Sequence, residues 1–436
     1  MPFRSFRDVR EHLDALGMFH MELGLGRIRR VLAALGLERP PFTVVQVLGT
    51  NGKGSTCAFL ASLCAAHGVR AGLYTSPHFV SPEERIRVDG EPLSGDRWPE
   101  PANAVMTAAG DEHLTYFEFL TALALLAFRE AGVEVAILEA GLGGRNDAAT
   151  AVAADLLCFT PLAMDHAAVI GPTFTHIARD KAAAIRSRAP VYSAPQYPVA
   201  AAELTAAADR HGAGISVAAP LAPHWQPRLG LAGSHQRVNA ALALAAWHEL
   251  ARRLGRNSDD AAAQERGLAR AFLPGRLQFL PGTDDHPALL LDGAHNPHGM
   301  QALLSAFRHS DDVGACALPQ PSAIIFSCLG DKDWRSSAAM LRRHFPQTPV
   351  LVPALENPRA ADAAEVAAFF AAVSPAPATP LSGKDALGRA LAAAATLCTS
   401  PEAVTLMTGS LYLLAEFFGR FPQHLAPSPS PMEYLP

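Results

Sequence analysis

Residues 44–56 read VVQVLGTNGKGST, an apolar β-type run that breaks into glycines and then opens a helical stretch. Such a turn is a phosphate cradle. Gly49, Gly52 and Gly54 let the backbone bend and aim N–H groups at phosphate oxygens. The N-terminus of the following helix adds its dipole, and Lys53 supplies a point charge. Thr50, Asn51 and Ser55 complete the loop as nucleotide-binding candidates. The stretch departs from the general form G-x-x-x-x-G-K-[ST]: Val47 stands where the first glycine would be, and Gly54 separates Lys53 from Ser55. The bland alternative is a Gly-rich turn in a Rossmann-like fold.

Outward from this loop, β-type runs alternate with Ala/Leu-rich stretches: TVVQVLG then STCAFLASLCAAHG; AGLYTS; FEFLTALALLAFREAG then VEVAILEAG; and DLLCFTPL. That alternation predicts an α/β parallel sheet. A second series, ALLLDGAHN, SAIIFSCLG, TPVLVPA and AVTLMTGS, begins after the turn-rich PGTDDHP. The expected organisation is a P-loop parallel-sheet ATPase domain over residues 1–285 and a smaller Rossmann-like α/β domain over 286–436, with a disordered tail over 425–436. Between Pro190 and Leu231 the Ala, Pro, His and Gly content blurs the pattern, and no topology is assigned.

Composition narrows the function classes. Lys and Arg total 36 against 41 Asp and Glu, a formal charge of −5, which disfavours a nucleic-acid partner. Hydrophobic residues at 49% with 18% charged exclude disorder as the main state. The six cysteines are scattered, with no C-x-x-C pair, as in a reducing compartment. The start MPFRSFRDVREHLDAL lacks a signal peptide's apolar run, and the longest apolar stretch, 119–128, is closed by Glu118 and Arg129, so a cytoplasmic protein without a membrane partner is expected.

Other candidates stand at the ends of the β-type runs. Glu139 closes VAILE, where a carboxylate faces the ligand crevice of an open sheet or simply ends in an ion pair. Ser76 in YTSPH and the pair Asp165-His166 after DLLCFTPL read as metal ligands or as ordinary loop residues. Lys181 lies in an Ala-rich helical stretch and by itself reads as solvated. Arg85 and Arg87 could attract an anionic tail, but as exposed arginines they are not counted in the site. The stretch starting at Gly141, G-L-G-G-R, fails as a dinucleotide fingerprint, since the third glycine would fall at Asn146; a hydride-transferring dehydrogenase is set aside.

GTNGKGS is the form this loop takes in the Mur ligase superfamily. The surrounding segments resemble its folylpolyglutamate synthase and dihydrofolate synthase branch: LGLGRIRRVLAALG, YTSPHFVSPEERIRV, LTYFEF, ILEAGLGGRNDA, LPGRLQ, LDGAHNP and GDKDW, in one order from about Gly24 to Trp334. The resemblance implies an ATP-dependent amide ligase that phosphorylates a carboxylate and lets the amine of L-glutamate attack the acyl phosphate. It implies ATP at residues 50–55, Asn239, Arg276 and Asp292, held between two domains whose closure excludes water. Two Mg²⁺ ions are implied at Ser76, Glu139 and His166, and a carbamylated Lys181, although Asp180 and Ala183 replace the Glu and Gly often found beside it. The acceptors implied are dihydropteroate and reduced folates, with the pterin at Thr115, Tyr116, Phe117, Glu118, Asn146, Asp147 and Ala148; Asn146 replaces an apolar residue. A monomer is expected. Cell-wall Mur ligases carry an extra N-terminal domain, for which the 48 residues before Gly49 are too few, and a silent relative would be expected to have lost one of these residues.

Overall fold

The computed structural model describes residues 2–18, 20–222, 225–307, 318–400 and 402–427, so the expected disordered tail lies outside the described residues from 428 onward. The chain forms two compact units, Met1–Gly230 with Gln236–Ala271, and Leu231–His235 with Phe272–Pro436. The division expected near Asp285 therefore falls earlier. Residues 278–280 pair antiparallel with 289–291, so PGTDDHP connects two strands of the second sheet and is no linker.

The first unit holds an eight-stranded sheet. Its strands are β1 (Thr43–Leu48), β2 (Ala71–Tyr74), β3 (Ile86–Val88), β4 (Glu91–Pro92), β5 (Val135–Glu139), β6 (Leu156–Phe159), β7 (Val191–Ser193) and β8 (Ile215–Val217), in the order β4-β3-β2-β5-β1-β6-β7-β8. All pair in parallel except β3 against β2 and β4 against β3. β1 lies between β5 and β6, with Val47 opposite both Glu139 and Cys158. The strand order reverses around β1, and ligands of open α/β sheets bind outside the strand C-termini at such a switch point. The helix Tyr116–Ala131 is apolar on nearly every face because it is buried on nearly every face, Phe119, Leu120 and Leu123 being fully enclosed. Thr115 caps its start and Gly132, at φ +66°, ends it.

The second unit holds β9 (Gln278–Leu280), β10 (Leu289–Leu291), β11 (Ala323–Phe326), β12 (Val350–Pro353), β13 (Ala378–Leu381) and β14 (Thr405–Thr408), ordered β13-β12-β11-β14-β10-β9. Only β9 runs antiparallel, and Phe326, Leu341, Phe345 and Phe370 pack one face of the sheet. Among the described residues no helix is long and apolar enough to cross a membrane.

Candidate active site

β1 runs out at Leu48 and the chain turns at Gly49 with φ +145°. A Cβ there would sit 1.8 Å from Thr160 Oγ1, so only glycine lets the loop lie against the end of β6. Gly52, at φ +91°, precedes the helix Lys53–Ala66, and a Cβ on it would meet Asn239 Oδ1 at 2.4 Å. Asn239 is buried against the loop, its Nδ2 donating to Gln236 Oε1 at 2.9 Å. Thr50 Oγ1 donates to Ala163 O and accepts from Ala163 N, both at 3.0 Å, which stitches the loop to the chain beyond β6.

Two lysines meet this loop. Half-buried Lys53 donates to Thr50 O at 3.1 Å, and Lys181, buried in the helix Phe174–Ala182, donates to Gly49 O at 2.7 Å. Burial, followed by the charge of Lys53, pulls the Lys181 amine down to about 7. Glu139, buried at the end of β5, accepts from Ser76 N at 2.9 Å, joining β5 to the loop after β2. His166 sits at φ +52°, its Nε2 3.8 Å from Asp165 Oδ2.

The loop leaving β5 packs on the helix that carries Lys181. Gly144 N donates to Asp180 Oδ2 at 2.9 Å, and a Cβ on Gly144 would meet Lys181 O at 2.7 Å. Asp147 is enclosed: Oδ2 accepts from Leu142 N at 2.7 Å and Oδ1 from Ala149 N at 3.0 Å, while burial raises its pKa to about 6 against those two bonds. Phe117 is half-buried, with its ring 5.5 Å from that of Tyr74 and 3.0 Å from where a Gly141 Cβ would lie. Glu118 is held through one oxygen, its buried Oε1 having no hydrogen-bond partner though it lies 3.3 Å from Arg27 Nη2. Its Oε2 accepts from Thr115 N (2.9 Å) in a capping box and from Arg27 Nε (3.3 Å). Asn146 is half-buried and Ala148 buried, opening a short 3₁₀ turn.

In the second unit Asp292 follows β10. Its Oδ2 accepts from Leu277 N at 3.0 Å and its Oδ1 from Ala294 N at 2.9 Å; burial raises its pKa, opposed by Arg276. Arg276 Nη1 donates to Gly275 O at 3.1 Å and lies 2.6 Å from where a Gly293 Cβ would be, so Arg276 and Asp292 are neighbours.

Residues 275–411 match the Mur ligase glutamate ligase domain. The chain is 34% identical over 357 residues to dihydrofolate synthase/folylpolyglutamate synthase of Escherichia coli K12, covering 76% of this chain and 78% of the relative. The chain belongs to this family. A solved structure of Escherichia coli FolC in complex with DHPP and ADP superposes with a TM-score of 0.81 at 30% identity, covering 97% of this chain and 99% of that one. A solved bifunctional folylpolyglutamate synthase/dihydrofolate synthase with Mn, AMPPNP and L-glutamate bound superposes at 0.79 with 29% identity, covering 96% of this chain and 98% of that one. As a member of the dihydrofolate synthase/folylpolyglutamate synthase family, this protein is an ATP-dependent ligase.

The residues present fit the groups that family chemistry requires. A loop closed to a Cβ at Gly49 and Gly52, a helix N-terminus and two amines could hold a polyphosphate. Among the described residues no three His, Cys, Asp or Glu side chains gather as a metal cluster. The hydroxyl, carboxylate and imidazole of Ser76, Glu139 and His166 are donor types that could hold a hard cation together with phosphate and water oxygens. Arg85 lies outside the sequence motifs of the site, yet the structure buries it at 3% exposure against Tyr116. Arg27, the partner of Glu118, lies outside them too. Neither carries a local signal, because each contact joins distant stretches of chain.

Proposed function

We propose that this chain adds L-glutamate both to dihydropteroate and to the tail of reduced folates through an acyl phosphate made from ATP. The observation that carries this reading is the meeting of Lys53, Lys181 and Asn239 at one glycine loop, beside a β5 end that pairs Glu139 with Ser76. Residues 50–55 and Asn239 hold the triphosphate, and Arg276 and Asp292, neighbours in the second unit, are nucleotide-binding candidates by the family resemblance. Lys53 stabilises charge on the transferring phosphoryl group. Ser76, Glu139 and His166 hold Mg²⁺, as two ions, which neutralises the phosphate oxygens when bound.

Lys181 is carboxylated at Nζ. An amine with a pKa near 7 is mostly neutral in mildly alkaline solution, and a neutral amine is the form that bonds to the carbon of CO₂ and releases a proton. Intact mass with and without bicarbonate reads this directly. The pterin lies along residues 115–118 and 146–148, with the half-buried Phe117 ring as its stacking face. Glu118 and Asp147 support that surface through their own backbone bonds. The protein acts as a cytoplasmic monomer.

The test is ADP release with Mg²⁺-ATP, L-glutamate and either dihydropteroate or tetrahydrofolate, each omitted in turn. Glutamate-dependent turnover with both acceptors is expected. Turnover with tetrahydrofolate alone reduces the protein to a tail-extending synthase, and turnover with neither overturns the proposal.

A further inference from the structure

A guanidinium keeps its charge at any pH the protein meets, so burying one is costly unless acceptors or an anion meet it. Arg85 is 3% exposed. Its Nε donates to His78 Nδ1 at 2.8 Å, and its plane lies over the Tyr116 ring, 5.3 Å from the centroid. Among the described residues no carboxylate is within ion-pair distance of it, and its two Nη groups have no hydrogen-bond partner. Arg87, two positions on, shows the ordinary solution: Nη1 donates to Gly90 O at 3.0 Å, and Glu84 and Glu91 lie near. Arg85 is thus held from two sides with four N–H donors left over, the arrangement that grips a carboxylate by two parallel hydrogen bonds.

Its place in the sheet says which carboxylate. Arg85 immediately precedes β3, whose Ile86 lies opposite Tyr74 at the C-terminal end of β2, the same end of the sheet as the phosphate loop. In the order β3-β2-β5-β1, three strand spacings of ~4.8 Å, about 14 Å in all, separate β3 from β1. Arg85 therefore approaches the loop from a neighbouring part of the same sheet end, where a carboxylate other than the phosphorylated one can meet it. Dihydropteroate has one carboxylate, the one that reacts; a folate already bearing glutamate has a second. We infer that Arg85 binds the non-reacting carboxylate of a glutamylated acceptor and so favours tail extension over first addition. The inference rests on the glutamate-ligase function proposed above.

The experiment compares three acceptors: dihydropteroate, tetrahydrofolate, and tetrahydrofolate whose non-reacting α-carboxylate is converted to the amide. With the wild-type enzyme kcat/KM for the amide is expected to be about tenfold or more below that for the free acid. In R85Q the ratio of kcat/KM for tetrahydrofolate to that for dihydropteroate falls by a similar factor, and the difference between acid and amide disappears. R85K leaves the ratio low, since a point charge cannot reproduce the fork. Wild-type enzyme that treats acid and amide alike overturns the inference without recourse to any variant, as does an R85Q that still separates them. Wild-type enzyme inert toward every acceptor overturns the ligase proposal instead.

Discussion

The loop that leaves β1 and the loop that leaves β5 stand side by side at one end of the first sheet, and they use charge in opposite ways. Lys53 and Lys181 each give one hydrogen bond to a backbone carbonyl of the β1 loop, leaving Lys53 half-exposed with donors to spare. Asp147 in the β5 loop has both oxygens filled by backbone N–H groups of its own turn and is buried. The first loop takes its shape from glycines and keeps the Lys53 cation for a ligand; the second takes its shape from a carboxylate. A charged residue in a motif can therefore mean chemistry or scaffolding, and its hydrogen bonds tell which.

That contrast breaks most sharply at Lys53. Lys53→Ala is expected to lower kcat for ADP release about 10³-fold while the unfolding temperature stays near that of the wild type. A large loss of stability would show that the lysine holds the loop together. Asp147→Ala should do the reverse first, costing about 2–4 kcal/mol in urea unfolding because Leu142 N and Ala149 N lose their acceptor inside the protein. A variant as stable as the wild type would return Asp147 to the ligand-binding set.

The two buried groups also tilt stability with pH in opposite directions. Lys181 titrates near 7 folded against 10.5 for a free lysine, so between those values the unfolded chain binds more protons and stability rises with pH, by at most about 1.4 kcal/mol per pH unit. Asp147 titrates near 6 against 3.8, so between those values the folded chain binds more protons and stability falls as pH rises. Urea unfolding in CO₂-free buffer at pH 7 and 9 should show a rise that Lys181→Met lacks; equal slopes would refute the buried amine. The smallest effect belongs to Glu118→Gln, about 1 kcal/mol from a weakened cap and the lost Arg27 pair, with the KM for either acceptor unchanged. A raised acceptor KM would give that carboxylate to the pterin.

Much of this architecture was legible in local pattern. The four β-type runs around the glycine loop are β1, β2, β5 and β6, and those of the second series are β10, β11, β12 and β14. Strands β3, β4, β7, β8, β9 and β13 escaped because each has a polar residue within its two to four positions and so no continuous apolar run such as the LLL of β10, and β13 is no more than half-buried along its length. The blurred stretch between Pro190 and Leu231 contains β7, the helix Pro198–His211 and β8. The unit boundary was misplaced for a related reason: a turn between two strands of one sheet has the composition of a linker.

By itself the sequence determined the phosphate loop, since Gly49 and Gly52 stand where backbone twist and close approach exclude any side chain, and it determined the α/β class through alternation of two periods. Which charges serve the ligand was decided only in three dimensions. Lys181 reads as a solvated helix residue until folding removes its water and sets it on Gly49 O, and Arg85 reads as a surface arginine until it is enclosed by His78 and Tyr116. Burial and partner choice depend on atoms brought from distant parts of the chain, and those set the electrostatics of a site.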